Sequence, residues 1–228
     1  MPGQEPRSET QRRVSAVEQV VSSLFDGLMS NRFAPGQRLI EADLTAEYQV
    51  SRGTLREAFR RLAADGLIEI VPNRGAVVRR PSLRDLNELF VIRTELEGLA
   101  ARLAAGRMQD AQVCATFAAA VAPIWEDTPR PMSTAYMVEN ARFHEAIIDA
   151  SGNRQLALIS RQFQLPVIMA QVRGLLNAET IGASVMEHRG MARAILAGDA
   201  AEAERQMQAH LARAMEATRR YAEAQGLG

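Results

Sequence analysis

The chain carries three histidines, His144, His188 and His210. Each falls in a stretch whose apolar residues recur at helical spacing. Asn140 precedes His144 by four residues, so the two side chains share one helical face. His188 and His210 are 22 residues apart, on what read as the last two helices. An antiparallel pair would bring them together. Three imidazoles and one oxygen ligand suit Zn²⁺ or a similar divalent ion, with positions left open for water or a ligand carboxylate. Taken singly, a histidine on a helix is more often a packed residue whose hydrogen bonds are satisfied.

A second set of residues has the chemistry to read DNA. Ser51-Arg52-Gly53-Thr54, with Arg56 one turn on, opens a helix whose other face carries Leu55, Ala58, Phe59, Leu62 and Ala63. An arginine fork can donate two hydrogen bonds to guanine O6 and N7. The Ser51 and Thr54 hydroxyls suit phosphate, as does a helix N-terminus. Gly53 leaves room for close backbone approach. Arg52, Arg56 and Arg60 follow at i, i+4 and i+8, opposite the apolar stripe. Further on, Asn73-Arg74-Gly75 reads as a hairpin tip able to enter the adjacent minor groove. Arginines at i and i+4 are, alone, more often a solvated helix face; the order of elements around them favours DNA.

That order is a helix at Val17–Leu28, a turn at Pro35-Gly36, a short helix over 41–48 and the Ser51-capped helix ending at Gly66. A β-branched run, Leu67–Val71, then a Pro72–Gly75 turn and a second extended run, Ala76–Val78, predict a β-hairpin. Three helices and a hairpin make a winged helix-turn-helix. Arg79-Arg80-Pro81-Ser82 reads as a linker, and Ser82 with Asp85 resembles a capping box. From there the spacing predicts helices near 83–106, 110–124, 132–150, 153–175, 180–197 and 199–224, with a kink at Pro166. The expected fold class is mainly α: residues 1–13 a disordered tail, 14–80 the winged DNA-binding domain, 81–228 an all-helical bundle for effector binding and dimerisation.

Composition agrees with a helical protein. Hydrophobic residues reach 47% but aromatics only 5%, so the core is built from Ala, Leu, Val, Ile and Met. The net charge is zero, yet all 27 basic residues are arginine, and residues 51–80 hold seven of them against three acids. A basic module on a neutral chain fits DNA contact at one end. The lone Cys114 rules out an intrachain disulfide and reads as a small buried residue. The polar N-terminus lacks the apolar core of a secretory signal, and no apolar run nears the roughly 18 residues of a membrane span. A cytoplasmic protein without membrane contact is the expectation.

Several stretches resemble the GntR family of transcription regulators: Ala34–Glu41, Leu44–Leu62, Asp65–Ile68 and Asn73–Val78. Gly53 departs from the Thr or Pro of many relatives. The second half is similar to the all-helical FCD effector domain of the FadR-like branch, through Arg93 and Glu97, Asn140 with Phe143-His144, Ser151-Gly152-Asn153, His188, Ala194-Ile195 and Gly198-Asp199. Its six helices resemble the shorter VanR-type version. The resemblance implies a divalent metal, with zinc first and nickel or manganese as alternatives, held by Asn140, His144, His188 and His210. Asn140 stands where relatives carry Asp, and its amide oxygen brings no charge. The metal would serve effector binding, and a small carboxylic acid is the implied effector. Arg93 would either pair with that acid or form an i,i+4 salt bridge with Glu97.

The implied protein is a homodimeric repressor that grips a pseudo-palindromic double-stranded DNA operator and is released by its effector. Two rivals stand beside it. One is a metal-free dimeric regulator. The other is a helical metallohydrolase, which lacks an HExxH motif, a nucleophile triad or a phosphate loop. Its nearest general base, Glu145, points about 100° from His144 on a helix. No enzyme activity is expected.

Overall fold

The computed structural model describes residues 15–30, 32–72, 74–127, 130, 134–171 and 177–224. The first described helix, α1 (Ala16–Met29), is started by a reciprocal cap. The Ser15 hydroxyl accepts from the Glu18 amide, and the Glu18 carboxylate accepts from the Ser15 amide. A short strand β1 (Arg38–Leu39) leads into α2 (Glu41–Tyr48) and α3 (Arg52–Ala64). Between α2 and α3 the chain turns through Gln49, a non-glycine residue at φ 54°, where the Val50 amide donates to the Thr45 carbonyl. After α3 come β2 (Ile68–Val71) and β3 (Gly75–Val78).

The three strands form one antiparallel sheet in the order β1-β3-β2, pairing Leu39 with Ala76 and Ile68 with Val78. The hairpin agrees with the sequence pattern. β1 does not figure in that pattern, because two residues are too short to show alternation. It forms because buried Leu39 closes the edge of β3 over the core. That core draws Leu24 and Leu28 from α1, Leu55, Phe59 and Leu62 from α3, and Ile68, Ala76 and Val78 from the sheet. A Cβ at Gly27 would collide with the Phe33 ring, so the α1 glycine is what lets that ring pack down.

The second half holds six α-helices among the described residues: α4 (Leu83–Gly106), α5 (Ala111–Val121), α6 (Thr134–Ala150), α7 (Arg154–Gln171), α8 (Ala178–Leu196) and α9 (Ala200–Ala224). The Ser82–Asp85 capping box forms as expected and opens α4. The expected helix over 110–124 is shorter. It stops at Val121 and tightens into a 3₁₀ turn, Ala122–Trp125, because Pro123 has no amide to donate. α7 continues through Pro166, and the expected segment 172–175 lies outside the described residues. α4 runs through the centre and touches α6, α7, α8 and, most extensively, α9. Its seam of Ala100, Ala101, Ala104 and Ala105 is fully buried, and small side chains there let a neighbouring helix approach closely. None of the described helices is long and apolar enough to cross a membrane.

Candidate DNA-reading face and imidazole cluster

At the start of α3 the Ser51 hydroxyl accepts from the Thr54 amide at 3.1 Å and lies 3.0 Å from Thr54 Oγ1. It is therefore committed to capping the helix. Burial of Leu55, Ala58, Phe59 and Leu62 turns the opposite face outward, leaving Arg52, Gly53, Arg56 and Arg60 exposed. Arg74 is exposed at the hairpin tip, and Gly75 takes φ 76°, a left-handed conformation that glycine adopts without strain. Asn73 lies outside the described residues. Two arginines of the face have carboxylate partners. Arg56 Nε donates to both oxygens of Glu41, at 3.0 and 3.1 Å, and Arg60 Nη1 donates to Glu57 at 3.0 Å. Arg52 has no carboxylate partner among the described residues.

The three histidines meet. His144 on α6, His188 on α8 and His210 on α9 are all buried, and their ligating nitrogens lie within 4.8 Å of one another. Around a bound ion at about 2.0–2.1 Å, imidazole nitrogens stand roughly 3–3.4 Å apart, a spacing inside that limit. Two of the rings are anchored from behind. His144 Nδ1 donates to Glu97 Oε2 at 2.5 Å, and His210 Nδ1 donates to Glu187 Oε2 at 2.6 Å. A proton fixed on Nδ1 leaves the Nε2 lone pair of each ring as the free acceptor. His188 stacks on Phe143 at 4.1 Å between centroids, and its Nε2 is buried with no hydrogen-bond partner.

Electrostatics keeps His188 and His210 in the neutral form. Burial pushes His188 well below its ordinary value of 6.5, and His210 and His144 push the same way. Burial also takes His210 down to about 4, against the opposing pull of its Glu187 hydrogen bond. A neutral imidazole is the form that binds metal. Glu97 is buried too, which works against its charge. The Arg93 guanidinium and the His144 contact outweigh that and hold the carboxyl at about 2.

The sequence offers Arg93 two partners, an effector or Glu97. The structure joins Arg93 Nε to Glu97 Oε1 at 2.8 Å, both side chains buried. Asn140 is half-buried one turn before His144. Glu145 is exposed and pairs with Arg161 at 3.1 Å. Glu187 and Arg213, which grip each other behind His210, do not figure in the sequence reading. A signal for them was present. Glu187 adjoins His188 and Arg213 follows His210 by three, the spacing of an ion pair across the antiparallel helices that bring those histidines together.

A winged helix-turn-helix followed by a six-helix unit defines a class of DNA-binding transcription regulators. Residues 16–78 match the family described as "Bacterial regulatory proteins, gntR family", and residues 88–213 match the "FCD domain". The chain belongs to the gntR family, in the branch whose winged domain is followed by an FCD domain. It is 29% identical, over 90% of its length and 90% of the other's, to the Paenarthrobacter nicotinovorans protein named "Probable D-xylose utilization operon transcriptional repressor". It is 29% identical to the Bacillus subtilis "Uncharacterized HTH-type transcriptional regulator YdhC", a match covering 60% of this chain and 62% of that protein. Among solved structures it superposes on Escherichia coli McbR/YncC with a TM-score of 0.72 at 21% identity, over 91% of this chain and 99% of that one.

Proposed function

We propose that this regulator is a repressor whose grip on a pseudo-palindromic operator is controlled by a small carboxylate. The acid would bind at a divalent ion, zinc in our assignment, held by His144, His188, His210 and Asn140. The observation that carries this reading is the orphaned His188 Nε2, buried between two imidazoles whose tautomers are set by Glu97 and Glu187. A buried polar atom without a partner is rare, and three imidazole nitrogens in one place are a donor set suited to a divalent cation. Such an ion supplies a positive centre with open positions for a carboxylate oxygen. The Arg93–Glu97 bond uses Nε, which leaves the terminal nitrogens of Arg93 to an incoming anion.

The same helices suggest how occupancy reaches the DNA-binding half. Met137 precedes His144 by two turns on α6, and Ile181 precedes His188 by two turns on α8, so each lies on its histidine's face. Both, with Tyr136 and Val185, pack into the core of the winged domain. Any shift of His144 or His188 on binding would move these contacts. In a homodimer, with residues 14–80 on DNA and 81–228 pairing the copies, that displacement alters the spacing of the two reading heads.

The test is thermal unfolding of the chelator-stripped full chain with zinc, nickel or manganese, each with and without a panel of small carboxylic acids. Binding at 100 times Kd stabilises by about 2.7 kcal/mol. The expected result is a rise with metal and a further rise with one acid. His188→Ala should lose both rises while still binding DNA. A metal response that survives in His188→Ala would remove the cluster from the reading.

A further inference from the structure

We infer that Glu41 is a specificity-determining positioning residue that acts through Arg56; the inference rests on reading Arg56 as a base contact. Glu41 is the first residue of α2, and its two carboxylate oxygens lie 3.0 and 3.1 Å from Arg56 Nε on α3. Both oxygens straddle one N–H, and the terminal nitrogens of Arg56 keep their donors. Those are the donors that face guanine O6 and N7 in an end-on pair.

The neighbouring arginines are held differently. Arg60 gives the terminal Nη1 to Glu57, from one turn back on its own helix. Arg32 gives the terminal Nη2 to Glu47. Arg52 has no carboxylate partner among the described residues. On α3, Arg56 alone of the described arginines is fixed by an acid from another helix through Nε. Glu41 is itself steady: it sits in the first turn of a helix whose Leu44 is buried, and its carbonyl accepts from the Thr45 hydroxyl. The pair spans the two helices of the helix-turn-helix, so it fixes the fork relative to the reading helix.

Two consequences follow for DNA. Ordering a long side chain in advance reduces what binding must spend on it. Opposing that fork to a base without two acceptors gains little, because Arg56 then has Glu41 as its better partner. Glu41 also prevents Arg56 from swinging to the nearest phosphate, the contact that supports sequence-independent binding. Its own negative charge beside the duplex disfavours any complex in which the guanine bonds are not made. Glu41 thus raises the ratio of operator to random-sequence affinity instead of raising affinity itself.

The experiment uses the full chain and an operator enriched by the wild-type protein from random duplexes. Dissociation constants are measured for that operator and for a scrambled duplex across a salt series, for wild type, Glu41→Gln, Glu41→Ala, Arg56→Ala and Glu41→Ala/Arg56→Ala. Glu41→Ala should lower the operator-to-scrambled ratio about tenfold, mainly by tightening the scrambled complex, and steepen that complex's salt slope by about one freed phosphate contact. Glu41→Gln keeps a neutral acceptor for Nε and should fall between Glu41→Ala and wild type. It also carries the test if Glu41→Ala folds poorly. In the Arg56→Ala background, removing Glu41 should leave the ratio unchanged. A ratio within twofold of wild type in Glu41→Ala overturns the inference, as does an equal drop with and without Arg56. If Arg56→Ala keeps the wild-type ratio, the base-contact reading beneath it has failed, and the inference falls with it.

Discussion

Glu97 is where stability and the proposed metal chemistry meet, and Glu97→Gln separates them. Glu97 is 1% exposed and links buried Arg93 at 2.8 Å to buried His144 at 2.5 Å. Glutamine keeps the shape and can still accept from His144 Nδ1, but it removes the charge that balances the guanidinium. Breaking one side of a buried ion pair costs about 3–5 kcal/mol, because the remaining charge is stranded away from water. At about 2–4 °C per kcal/mol the midpoint of the chelator-stripped protein should fall by roughly 6–20 °C. Arg93→Met/Glu97→Gln removes both charges and should recover a large part of the loss. Zinc affinity, measured by competition with a chromogenic chelator, should fall about 10–100-fold in Glu97→Gln, the usual effect of disturbing a carboxylate behind a ligating imidazole. The reasoning would be refuted by a double variant no more stable than Glu97→Gln. It would also be refuted by Glu97→Gln melting within 2 °C of wild type.

Two further outcomes are expected. Asn140→Asp adds a negative charge one turn from His144 and should tighten zinc binding at least tenfold in the same competition assay; an unchanged affinity would take Asn140 out of the ligand set. For the metal-free protein, burial depresses both His188 and His210, so these two take up protons near 6.5 in the unfolded chain while they stay neutral in the native one. The stability these two groups confer is present above pH 6.5 and lost as pH falls toward about 4, the folded value of His210. Urea unfolding should show stability dropping with a slope of up to about 2.7 kcal/mol per pH unit for two protons, and a flat profile from pH 7 to 5 would contradict neutral His188 and His210.

Local chemistry makes much of this protein legible in its sequence. The α3 stripe of Leu55, Ala58, Phe59 and Leu62, the Ser51 cap, the Ser82–Asp85 box and the Pro72–Gly75 turn depend on residues within four positions of one another. Periodicity therefore placed the winged half and all six helices of the second half, with ends within a few residues where they are described. It also put Asn140 and His144 on one face.

What periodicity lacks is distance between elements. β1 exists only because β3 arrives beside it, and the Glu41–Arg56 pair only because α2 crosses α3. The same is true of Glu97 behind His144 and of Glu187 and Arg213 behind His210. The sequence allowed Arg93 two partners at equal weight, since an i,i+4 spacing permits a salt bridge without requiring one. Tertiary structure makes the Glu97 bond, through Nε. The small-residue seam of α4 brings neighbouring helices close, and burial at that depth leaves a charged side chain no water to fall back on. Arg93 and Glu97 therefore need each other, whereas the same pair on an exposed helix would be optional.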